Sequence, residues 1–112
     1  LTGLIQSGAR PRWVSPRVHP GLGLPLGIEA DDLREALRAW PTARKVILSS
    51  PGYAGTCTDV SGCIAVAREH GAEIYVDAAW GAHLAFHADL PQDALSAGAS
   101  AAVVSVHKSA AA

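Results

Sequence analysis

Three short apolar runs, KVILSS (45–50), AEIYVDAAW (72–80) and AAVVSVH (101–107), dominate this chain from residue 45 onward. Each is rich in β-formers and apolar on both faces, which suits a strand covered on two sides. Stretches with helical spacing separate them. Strands of this kind alternating with helices need crossover connections, so the pattern predicts an α/β fold, a partial parallel-rich sheet with flanking helices.

The helices can be placed by their ends. Asp31 and Asp32 open one in which Leu33, Ala36, Leu37 and Trp40 recur on one face, and Pro41 marks its end. Thr58 or Asp59 can cap the next, whose apolar face is Val60, Cys63, Ile64 and Ala67 and whose stop is Gly71. PQDALSAGA (91–99) reads as a further short helix. Upstream, RWVSPRV (12–18) reads as a short edge strand, since Pro16 interrupts it. HPGLGLPLGI (19–28) is dense in Gly and Pro and reads as a surface loop. The Ala-rich tail after Lys108 reads as the start of a further element.

Composition bounds the function. A chain of 112 residues is at most one domain, and 49% hydrophobic with 17% charged residues is globular rather than disordered. Nine basic and ten acidic residues are scattered at a net charge of −1, which gives no footprint for nucleic acid. No apolar run approaches the roughly 18 residues of a membrane span, and no signal-peptide core follows the N-terminus. Cys57 and Cys63 are the only cysteines, which fits a reduced, cytoplasmic protein without a zinc site. The chain has no Met and opens on Leu1 inside an apolar stretch, so it reads as a piece of something longer.

Ligands of open parallel α/β sheets bind beyond the carboxyl ends of the strands, so polar residues there carry the information. One run delivers Asp77, then Ala79 and Trp80; the last delivers Ser105, His107 and Lys108. Spacing alone leaves two readings open. Asp77 and Lys108 form a structural ion pair, as buried charges usually do, or they are a carboxylate and an amine set for chemistry.

VDAAWGAH (76–83) and SVHKS (105–109) together resemble the Orn/Lys/Arg decarboxylase group of fold-type I pyridoxal-phosphate enzymes. The resemblance extends through residues 49–109 and includes LIQSGARPRW (4–13) and GLPLGIEADDLREAL (23–37), so it covers nearly the whole chain. It implies the central part of an aspartate-aminotransferase-like large domain, with its N-terminal part and a small C-terminal domain outside residues 1–112. It also implies the cofactor pyridoxal 5'-phosphate. Lys108 would form the Schiff base with the cofactor aldehyde, which requires a neutral amine. Asp77 would keep the pyridine nitrogen protonated so that the ring accepts the electron pair released at the substrate α-carbon. Ala79 would lie against the ring, on the same side of its strand as Asp77. Trp80 would donate its indole N–H to the ring oxygen. Ser105 and His107 would donate to the phosphate, strand alternation placing both on one side.

The activity implied is decarboxylation of arginine, lysine or ornithine, a reaction of polyamine biosynthesis, by a homo-oligomer acting on a small amino acid. Two rivals stand beside it: a non-catalytic truncated or degenerate homologue, and an aminotransferase or other lyase on the same scaffold. Trp80 stands where aminotransferases of this fold carry Tyr, which argues against the latter.

Other residues support less. His83 and His87 have the spacing of two metal ligands on a helix, but no Glu follows His83 as a metalloprotease would need. His83 resembles a family position near the site. His70 reads as a solvated helix-terminal residue, and His19 supports no inference. Tyr53 is within reach of the strand ends, although an exposed loop tyrosine is the plainer reading. Ser49 and Cys57 lack a nucleophile elbow, and Gly21-x-Gly23 lacks the third glycine of a dinucleotide site.

Overall fold

The computed structural model describes residues 2–109. The Ala-rich tail, with its expected further element, lies outside them. Three strands form a parallel sheet in the order β3 (Lys45–Ser49), β4 (Glu73–Asp77) and β5 (Ala101–Val103). Two helices, α2 (Ala30–Ala39) and α3 (Val60–Glu69), pack on each other, and α3 lies against β4. The parallel α/β expectation is met.

Both helices start and stop where local chemistry dictates. At α2, Asp32 accepts the Glu29 backbone N–H at 2.8 Å, and Trp40 closes the far end. That hydrogen bond is the main cause that holds the Asp32 carboxyl below its ordinary value; desolvation opposes it, and Arg17 at 3.3 Å adds a smaller lowering. At α3, Asp59 is the cap and accepts the Gly62 N–H at 2.9 Å. Gly71, at φ 64°, turns the chain out of α3, and the Ala72 N–H reaches back to Ala67 O at 2.9 Å. His70 closes α3 with its Nδ1 donating to Val66 O at 2.9 Å.

The core fills the space between these helices and one face of the sheet. Leu33 and Leu37 of α2, Cys63, Ile64, Val66 and Ala67 of α3, and Leu48, Ile74 and Val76 of the sheet are all buried. The strand register places Val46, Leu48, Ile74, Val76 and Ala102 on that face. The opposite face is open among the described residues. Ile47 is 70% exposed and Val103 68% exposed. Expected cover on both faces is therefore present on one.

Several boundaries differ from the sequence reading. The AEIYVDAAW strand ends at Asp77, so Ala79 and Trp80 sit in a turn where strand alternation does not apply. The last strand ends at Val103, because β4, its only partner among the described residues, ends alongside it, the final register pair being Asp77 with Val103. Without a partner the chain curls into a helical turn, α4 (Val106–Ser109). Residues 91–99 form turns instead of a helix. Asp93 Oδ1 takes the N–H groups of Leu95 and Ser96, and Gly98 at φ 99° breaks the turn.

The N-terminal third was only partly anticipated. Thr2–Ser7 forms a short helix, α1, that buries nothing. Of 12–18, only Arg17–Val18 is extended (β1), and it pairs antiparallel with β2 (Pro25–Gly27) inside the stretch read as a loop. His19 makes that hairpin. Its Nδ1 accepts the N–H groups of Gly21 and Leu22, both at 3.2 Å, and its backbone N–H donates to Leu24 O.

Candidate active site

The parallel strands end in step, Ser49 beside Asp77 and Asp77 beside Val103. The ladder runs one bond further, with Ser50 N–H on Asp77 O at 3.0 Å and Ala78 N–H on Val103 O at 2.8 Å. Three loops therefore leave the same sheet edge together, the edge at which such sheets take ligands.

After β3, buried Ser50 accepts the Thr58 N–H on its Oγ at 3.1 Å, closing a loop that presents Tyr53 outward. After β4, Gly81 N–H donates to Ala78 O at 2.8 Å and the chain turns. Gly81 is required there, since a Cβ would come within 2.8 Å of Pro51 Cδ. The turn after β4 thus packs on the loop after β3 and carries Trp80 toward Tyr53. Their ring centroids lie 6.5 Å apart at an interplanar angle of 67°, an edge-to-face contact. After β5, Lys108 N–H donates to Ser105 O at 3.1 Å within the helical turn. That turn sets the Lys108 ammonium 4.8 Å from the centre of the Trp80 ring.

Among the described residues Asp77 and Lys108 form no ion pair. Asp77 is exposed, and its Oδ1 accepts the Ala79 N–H at 3.1 Å. Lys108 is exposed with an aromatic neighbour in place of a carboxylate.

Of the residues singled out in the sequence, Asp77, Ala79, Trp80, Ser105, His107 and Lys108 all fall on this edge. The expected shared side of Ser105 and His107 is corrected: neither lies on a strand. Ser105 is half-buried before α4, and His107 is an exposed residue within it. His83 and His87 do not share a helix face either; they flank a single 3-10 turn, Leu84–Phe86, and His87 Nδ1 accepts the Asp89 N–H at 3.2 Å. The residue that sequence reasoning undervalued is Tyr53, whose contact with Trp80 joins two loops far apart in the chain.

The parallel sheet thus delivers a carboxylate from the end of β4 and a lysine from the helical turn after β5 to one edge. Comparison with known proteins supplies the family. The model of the Orn/Lys/Arg decarboxylase major domain matches residues 1–112, and the chain belongs to that family. An arginine decarboxylase of Bacillus cereus is 34% identical over 108 residues, covering 96% of this chain and 24% of the relative. An arginine decarboxylase of Bacillus subtilis is also 34% identical over 108 residues, with 22% of the relative covered. The chain thus spans about a quarter or less of the length of these relatives. No solved structure matches the chain at a significant level.

Proposed function

We propose that these residues carry the central cofactor-binding segment of a pyridoxal-phosphate-dependent decarboxylase of basic amino acids, with arginine as the first substrate to test. The observation that carries this reading is the delivery of Asp77 and Lys108, without mutual pairing, to one edge of a parallel sheet. Arginine comes from the relatives, three of which bear the name arginine decarboxylase at 34% identity. The same reading puts the three strands in the large domain of an aspartate-aminotransferase-like fold. It makes the working protein a cytoplasmic homo-oligomer.

The donor set fits pyridoxal phosphate. Lys108 offers an amine near the end of its element, with no carboxylate on it among the described residues. Asp77 engages one oxygen with Ala79 and leaves the other without a protein partner among the described residues. Ser105 and His107 offer a hydroxyl and an imidazole one helical turn or less from Lys108.

When bound, the cofactor supplies an electron-accepting ring that stabilises the charge left at the α-carbon as carbon dioxide departs. Lys108 Nζ would be the amine that holds the aldehyde carbon, which requires it to lose its proton. The Asp77 carboxylate would hold a proton on the ring nitrogen, and the Ala79 N–H keeps that carboxylate oriented. Ala79 offers a small side chain in the turn beside it. Ser105 Oγ and the His107 ring would donate to the phosphate. Trp80 supplies an indole N–H that can donate but not accept.

The test is trapping and turnover on the full chain. Protein mixed with pyridoxal phosphate and reduced with borohydride should retain the cofactor on the peptide containing Lys108, and Lys108→Ala should retain none. Arginine, lysine and ornithine are then assayed for carbon dioxide release. Retention that survives Lys108→Ala sinks the cofactor assignment. Retention on Lys108 with no carbon dioxide from any of the three sinks the decarboxylase and leaves the cofactor site standing.

A further inference from the structure

The chain has two lysines, and each ammonium lies over an aromatic ring, in different settings. Lys45 Nζ is 5.6 Å from the centre of Tyr75, on the open face of the sheet, where the Tyr75 hydroxyl donates to Glu73 at 2.7 Å. Lys108 Nζ is nearer its ring, 4.8 Å from the centre of Trp80. The Trp80 ring has its own support, because Tyr53 meets it edge-to-face. Tyr53 is 84% exposed, so burial in the core does not explain where its ring sits.

The three residues come from the three loops that leave the sheet edge. Tyr53 follows β3, Trp80 follows β4 and Lys108 follows β5. The Gly81–Pro51 approach already locks the first two loops together. An indole held at a fixed tilt by a neighbouring ring presents its negative face in a constant direction, and an ammonium is attracted to that face.

We propose that Tyr53 and Trp80 form an aromatic seat for the Lys108 ammonium in the cofactor-free protein, Tyr53 acting as a positioning residue that fixes the indole plane. The proposal rests on the reading of Lys108 as the cofactor-bearing amine, but its test needs no cofactor. An amine that reacts with an electrophile gives up its attraction to the ring. The seat therefore sets where Nζ waits and slows its reaction until something displaces it.

Trace labelling with acetic anhydride at fixed pH reads this on the full chain freed of cofactor, the labelled lysine being identified by peptide mass. Lys45 is the internal reference. The attraction of an exposed cation–ring pair corresponds to a rate change of about two- to fivefold. Trp80→Leu should raise Lys108 labelling by that factor relative to Lys45. Trp80→Phe, which keeps a weaker ring face, should fall between Trp80→Leu and the parent. Tyr53→Ala should raise labelling by less than Trp80→Leu, and Tyr53→Phe, which keeps the ring, should leave it unchanged.

An unchanged Lys108-to-Lys45 ratio in Trp80→Leu overturns the seat, and so does a parallel rise at both lysines. If Trp80→Leu fails to fold, Tyr53→Ala at its exposed position decides the matter, and an unaltered ratio there overturns the proposal. A failure of borohydride trapping at Lys108 would sink the cofactor reading without touching these ratios, so the two failures are told apart.

Discussion

The sheet has a covered face and an open rim, and the two differ both in residue type and in what exposure does to them. On the covered face Leu48, Ile74 and Val76 disappear against α2 and α3, with Cys63 fully enclosed. At the C-terminal rim Asp77, Trp80, His107 and Lys108 all keep exposed surface. Burial gives the first set its contribution to stability and removes it from chemistry. Exposure does the reverse for the second. Stability and the proposed chemistry are therefore assigned to separable residues, although adjacent positions of one strand, Val76 and Asp77, belong to different sets.

The largest effect should come from a matched pair across the sheet. Ile74 is 3% exposed on the covered face and Ile47 is 70% exposed on the other, one strand away. Ile74→Ala should cost about 2–5 kcal/mol, because it removes buried methyl groups and leaves a cavity. Ile47→Ala should stay within about 0.5 kcal/mol. Denaturant melts of both variants make the measurement. Equal costs would show that Ile47 is packed in the working protein and that the two faces are alike.

Next comes a rim substitution that spares the fold. Asp77→Asn keeps an oxygen to accept the Ala79 N–H, so its melting transition should match the parent. An amide cannot hold the ring nitrogen protonated, so carbon dioxide release by the full chain should fall on the order of 10²-fold or more. A variant that melts early would place Asp77 with the covered face. A variant that melts normally and keeps full activity would remove Asp77 from the proposed chemistry.

What the sequence disclosed and what it hid divide along the same physical line. Caps and stops are local, so Asp59, Gly71 and the Asp32 contact could be read from a few neighbouring residues. The core faces of α2 and α3 followed from helical spacing, and the parallel strands from their apolar runs. Strand ends are not local. Val104 and Val106 are as β-prone as Val103, and only the disappearance of β4 as a partner turns them into loop and helix. The 91–99 segment misled because Asp93 does open a helical turn, taking the Leu95 and Ser96 N–H groups as a cap does, but Gly98 at φ 99° ends it before a helix is established. Each rim residue was recognisable by type and strand end. Their meeting was not, since Tyr53, Trp80 and Lys108 come from three separate loops.

The cysteines extend the comparison to pH. Cys63 is 0% exposed in the core, and burial first, then the nearby Asp59, Glu29 and Asp32 carboxylates, push its thiol up to about 11. Cys57 is half-buried in the loop after β3. Iodoacetamide at mildly alkaline pH should therefore modify Cys57 at least tenfold faster than Cys63, since only thiolate reacts and access is needed. Folding raises the Cys63 value above that of a free thiol, about 8.5. Its contribution to stability is thus complete below that value and is lost as pH rises toward about 11. Melts of the parent between these limits should lose stability that Cys63→Ala does not lose. Coincident pH profiles for the two proteins would assign the loss elsewhere.

The smallest effect tests whether the two regions are independent. Asp59 ends the loop that carries Tyr53 and begins α3, so it touches both the rim and the covered face. Its Oδ1 accepts the Gly62 N–H at 2.9 Å, and removing that cap by Asp59→Ala should cost about 1 kcal/mol. Asp59→Asn keeps an acceptor and should cost a few tenths at most. If stability and chemistry are separable, neither variant should alter the labelling of Lys108 relative to Lys45. The reason is that the loop is pinned a second time, by Ser50 Oγ on the Thr58 N–H and by Gly81 against Pro51. A cap loss that also frees Lys108 would show that fraying of α3 reaches Tyr53 through this loop. The rim would then depend on the covered face at that one point.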